Sequence, residues 1–171
     1  VEDSGLSKSK SYFIMMTPRY EYSRSAISER INLLKGLSSP FGLTVRYAVK
    51  ANPHVEIIKM MNESGIHFDA SSSYEAANLL AQNISGSHIS LSSQQSPHNL
   101  EELLEAGVNF VATSLKQLNG FLQCANRPST VTVRINPDAG HGHNNRTNTG
   151  GKNSSFGIWH EYIDKVLELT A

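Results

Sequence analysis

Lys50 ends the apolar, β-branched run that opens LTVRYAVKANP (Leu43 to Pro53), and Ala51, Asn52 and Pro53 follow it as a turn into a helix. A lysine at a strand end ordinarily carries its charge to solvent on an apolar stem. Held at the bottom of a partly desolvated pocket, the same amine loses its proton more readily and becomes a nucleophile toward aldehydes. Asp69 closes the run GIHFDA, and its charge and hydrogen bonding could keep such an amine poised. Three more apolar runs end in polar groups: Ser90 to Ser93, Ser114, and the pair Arg134 and Asn136.

The elements that must carry these residues alternate. GIHFDA precedes the helical pattern SYEAANLLAQN, HISLSS precedes PHNLEELLEAG, VNFVAT precedes a helix from Ser114 to about Cys124, and TVTVRIN leads through a Gly/Asn-rich loop to WHEYIDKVLELTA. Upstream, Ser23 or Ser25 can cap a helix with Ile27, Ile31 and Leu34 on one face, ended by Gly36. Strand and helix in turn predict a parallel sheet with right-handed crossovers, an α/β fold. Polar groups gathered at strand ends suit a (β/α)8 barrel, whose chemistry lies on that rim, although open sheets also bind ligands there. The five strands legible here fall short of the eight that close a barrel, so the chain is expected to be part of a longer polypeptide. No repeat of 20–50 residues is evident.

Composition excludes several classes. Fifteen basic side chains balance fifteen acidic ones, which leaves no footprint for nucleic acid or an anionic membrane, and no apolar run could span a bilayer. A single cysteine, Cys124, permits no internal disulfide, and the polar VEDSGLSKSKS lacks the apolar stretch of a signal peptide, so a cytoplasmic protein is expected. In GHGHNNRTNTGG, His141 and His143 lack the further ligands of a metal site, and no metal is expected. That segment matches neither phosphate-loop fingerprint; it reads as a turn-rich loop or as a cover over a pocket. His54, His67, His88, His98 and His160 are scattered singly and receive no role.

The aldehyde most often held by a protein lysine is pyridoxal phosphate, an electron sink. YAVKANP, FDASSSYEA and RINPDAGHGHNNRTNTGGKNSSFGI, in that order, resemble the amino-terminal part of the pyridoxal-phosphate barrel decarboxylases, and among them the branch acting on diaminopimelate. The resemblance runs from about Phe13 to the end of the chain. It implies that Lys50 forms a Schiff base with the cofactor, that Asp69 lies beside cofactor and lysine, and that Glu75 and Arg134 support binding. It further implies decarboxylation of an amino acid, meso-diaminopimelate to L-lysine first, with ornithine, arginine or a D-amino acid as alternatives. A racemase or a non-catalytic pyridoxal-phosphate-binding relative is a further alternative. The family implies a homodimer in which a β-sandwich domain completes the neighbouring active site. Residues 1–17, with the strand YFIMMT, would belong to that sandwich and residues 18–171 to the barrel. One departure stands out: the family usually places a lysine before the F-G of S-K-F-G, and here Ser155 precedes Phe156.

Overall fold

A computed structural model describes residues 18–140, 149–151 and 154–171. The strand expected at YFIMMT and the pair His141 and His143 lie outside the described residues. The chain divides into two compact units, one ending at Leu37 and one from Ser38 to Ala171. In the first, α1 (Arg24–Lys35) begins where the Ser23 hydroxyl accepts the Ala26 N–H at 3.2 Å, and Gly36 closes it. Of the two serines that could cap this helix, Ser23 does so.

The second unit is built on five parallel strands in sequential order, β1 (Arg46–Ala48), β2 (His67–Ala70), β3 (Ile89–Leu91), β4 (Asn109–Ala112) and β5 (Thr132–Val133). Between them run α2 (Val55–Glu63), α3 (Ser73–Ala81), α4 (Leu100–Glu105) and α5 (Leu115–Gln123). Sequential parallel order with a helix in each crossover is the winding of a (β/α) barrel, present here in part.

Register fixes what each face carries. Tyr47, Phe68, Ile89, Leu91, Phe110, Ala112 and Val133 occupy one face, where they pack with Leu79, Leu103, Leu118 and Phe121 of the helices as the core. Phe68, Ile89 and Leu91 are fully buried there. The opposite face carries Arg46, His67, Asp69, Ser90, Asn109 and Thr132 in cross-strand register. Polar groups therefore line the inner face along its depth, beyond the rim where the sequence had concentrated them.

The strand expected from TVTVRIN continues past Arg134 as β6 (Ile135–Asn136), which pairs in parallel with a strand not anticipated, β7 (Ile158–Trp159). Trp159 was expected to open a helix. Instead a short 3-10 turn follows it and α6 (Ile163–Thr170) begins only then. Gly157 makes this pairing feasible. Its φ is +89°, and a Cβ there would lie 3.0 Å from both the Arg134 carbonyl oxygen and the Asn136 nitrogen. Within the described residues no helix is long and apolar enough to cross a membrane.

Candidate active site

After Ala48 the chain leaves β1 in a single 3-10 turn, Val49–Ala51, and this turn carries Lys50. Val49 is buried and anchors the turn, while the Tyr47 hydroxyl donates to the Asn52 carbonyl at 3.1 Å. The Asn52 side chain accepts the His54 N–H at 3.0 Å, and Pro53 prevents the turn from winding on into α2. Ala48 pairs in register with Asp69, so Lys50 emerges just above that carboxylate on the inner face.

Lys50, Asp69 and Arg134 line one cleft of about 380 Å³, together with Phe156 and a wall of neutral donors running from Ser92 to Gln95. Burial pushes the Asp69 carboxyl above its ordinary range. The charges of Lys50, Arg46 and Arg134 pull it back, while Glu75 adds to the rise. The site thus holds a carboxyl that gives up its proton reluctantly beside an amine and a guanidinium. Arg134 is fixed by stacking, with Cζ 4.9 Å from the centre of the Phe156 ring.

Two residues organise this rim without lining the cleft. The Glu75 Oε2 accepts the Ser71 N–H at 2.8 Å, while the Ser72 hydroxyl accepts the Glu75 N–H at 3.2 Å, a reciprocal pair, one residue wider than a capping box, that joins the end of β2 to α3. Glu75 stands one step behind Asp69, acting on it through charge and through the shape of the corner. Asn136 is wholly buried: its amide donates to the Gly151 carbonyl at 3.2 Å and to the Ser154 carbonyl at 3.4 Å, and its oxygen accepts the Gly151 N–H at 3.0 Å. It ties the returning chain to β6 just before Phe156. The sequence placed Asn136 at a strand end; its burial, with its side-chain bonds going to the returning chain and to Asp138, shows that a loop folds back there.

The histidines are less scattered than their spacing suggested. His67 and His88 stack with ring centres 4.2 Å apart, at the opposite end of the strands from Lys50, and Arg46 donates to the His88 carbonyl at 3.3 Å. Burial first, then His88 and Arg46, pull the His67 imidazole below its usual range. No group of three or more metal-ligating side chains occurs among the described residues.

The parallel barrel sheet thus carries an amine, a raised carboxyl and a stacked guanidinium at its carboxyl-terminal rim, an arrangement suited to holding an aldehyde. Residues 24–171 match the family described as "Pyridoxal-dependent decarboxylase, pyridoxal binding domain", and the chain belongs to that family. The chain is 33% identical over 158 residues to the diaminopimelate decarboxylase of Streptomyces coelicolor, covering 90% of this chain and 34% of that protein. It is 30% identical over 157 residues to that of Escherichia coli K12, covering 89% and 36%. A crystal structure of diaminopimelate decarboxylase superposes with a TM-score of 0.72 at 30% identity, covering 85% of this chain and 34% of that one. The Helicobacter pylori enzyme complexed with L-lysine has the same fold, with a TM-score of 0.77 at 23% identity over 94% of this chain and 41% of that one. The chain spans about a third of the length of the curated relatives it matches.

Pyridoxal phosphate is the cofactor of this family, and the residues present fit it. Lys50 offers the amine that an aldehyde requires. Asp69 and Arg134 supply one group of each sign, and the serine and glutamine wall offers hydrogen-bond donors without further charge.

Proposed function

We propose that the full-length protein decarboxylates meso-diaminopimelate, giving L-lysine and carbon dioxide, with Lys50 as the residue that holds the cofactor. The observation that carries this reading is the convergence of Lys50, Asp69 and Arg134 on one cleft in a chain of this family. The named relatives, both diaminopimelate decarboxylases, favour this substrate over ornithine, arginine or a D-amino acid. The reaction breaks one carbon–carboxylate bond, releases that carboxylate as carbon dioxide and adds one proton to the same carbon. Pyridoxal phosphate, when bound, supplies the electron sink for the pair that this bond leaves behind.

The chain's own residues do the rest. Lys50 presents its Nζ to the cleft at the end of a turn that Val49 anchors. Asp69, whose carboxyl burial raises above its ordinary range, sets the charge and hydrogen bonding beside the amine. Arg134, braced on Phe156, offers fixed donors to an anionic group, and Glu75 keeps the β2 corner in shape. We also assign residues 1–17 to a second domain, and the working enzyme to a cytoplasmic homodimer, which gel filtration checks. Carbon dioxide release by the purified full-length protein tests the function. Release from meso-diaminopimelate well above that from ornithine, arginine or D-lysine is expected; a preference for any of these, or none at all, overturns the substrate.

A further inference from the structure

Behind the cleft wall lies a buried polar cluster that the chemistry above does not use. Ser93, Thr113 and Gln117 are each at most 5% exposed. The Thr113 hydroxyl donates to the Ser93 carbonyl at 2.7 Å, and the Gln117 amide donates to the same carbonyl at 2.9 Å. The Gln117 oxygen in turn accepts the Thr113 N–H at 2.8 Å. Two donors from the β4–α5 corner thus converge on one carbonyl of the loop after β3. That loop is the cleft wall. From Ser93 the connection runs on: the Ser93 hydroxyl accepts the Gln95 N–H at 3.1 Å, and Gln94 donates from its amide to the Ser155 hydroxyl at 3.1 Å. Ser155 adjoins Phe156, on which Arg134 is stacked.

We propose that Thr113 and Gln117 are positioning residues for the cofactor cleft: by clamping the Ser93 carbonyl they set the wall from Ser92 to Gln95 and, through Gln94 and Ser155, the placement of Phe156 under Arg134. The choice of glutamine follows from the geometry. The side chain at position 117 must accept from Thr113 and donate to Ser93 at once, and a carboxylate of the same shape can do only the first. Buried donors and acceptors are costly to leave unpaired, so the wall has one favoured height. The inference rests on the proposed function in that the cleft is taken to be the pyridoxal-phosphate site.

The test is a titration of the full-length apoprotein with pyridoxal phosphate, followed by cofactor absorbance, with melting temperature recorded in parallel. Thr113→Val and Gln117→Glu should each weaken cofactor binding by roughly tenfold, and Thr113→Ser should restore it, since one charge-free hydrogen bond to a buried carbonyl is at stake. A lowered melting temperature with unaltered cofactor affinity would make the cluster merely structural and overturn the proposal. Where these variants prove too unstable to purify, Ser155→Ala, at the exposed end of the same chain of bonds, decides it. Binding weakened about two- to threefold supports the proposal, and unchanged binding contradicts it. Failure of the parent protein itself to take up the cofactor would instead defeat the assignment of the cleft, and the inference with it.

Discussion

At the end of β2 the chain reads FDASSSYEA, and at the end of β4 it reads FVATSLKQL. Both corners begin with a phenylalanine buried against the helices and an alanine beneath the turn. In both, a serine caps the helix, Ser72 for α3 and Ser114 for α5, each hydroxyl accepting an N–H at 3.2 Å from the third residue into the helix. In both, that third residue reaches back to the N–H just before the cap, Glu75 to Ser71 and Gln117 to Thr113, at 2.8 Å. They differ at the inward position and at the cap partner. β2 puts Asp69 inward and closes with a carboxylate; β4 puts Val111 inward and closes with an amide that also grips the loop after β3. The same local scaffold thus carries a carboxyl into the cleft at one corner and holds the cleft wall at the other.

The largest effect should come from erasing that distinction. Asp69→Val gives the β2 corner the inward residue of β4, and turnover of the full-length enzyme should fall by roughly a hundredfold or more while far-UV circular dichroism stays native. Turnover near that of the parent would remove Asp69 from the chemistry.

A smaller effect concerns stability against pH. Because the folded protein raises the Asp69 pKa, the folded state binds this proton more tightly than the unfolded chain does. The stabilisation is fully present below the ordinary carboxylate pKa and is lost as pH rises through the raised value. Asp69→Asn lacks this dependence. Thermal melts of the two apoproteins should show the asparagine variant gaining relative to the parent across that window, then running parallel above it. Curves parallel throughout would contradict a raised carboxyl.

The smallest effect is a likeness between the corners. Ser72→Ala and Ser114→Ala each remove the same cap bond and should each cost about 1 kcal/mol in urea denaturation. A several-fold disparity between the two would show that the corners are not equivalent scaffolds.

How much of this was legible depended on distance along the chain. Strand ends, a serine cap at Ser23 or Ser25 and the order of elements follow from local pattern, and Lys50, Asp69 and Arg134, which line one cleft, stood out because each ends an apolar run. The likeness of the two corners was hidden, since no position beyond the phenylalanine, alanine and cap serine is identical. β7 escaped because two residues carry no periodicity, and its glycine looked like one more turn signal. Gln117 looked like an ordinary helix residue; its role depends on a carbonyl 24 residues earlier, in the loop after the preceding strand, which no spacing rule reaches. Ser155, noted only as a departure from the family pattern, turns out to accept a bond from Gln94.

The central claim is that the amine of Lys50 captures the cofactor. Full-length protein incubated with pyridoxal phosphate, reduced with borohydride, digested and mapped by mass spectrometry should carry the reduced cofactor on Lys50, and the Lys50→Ala protein should carry none at that site. Label on a different lysine, or none on the parent protein, would contradict the account.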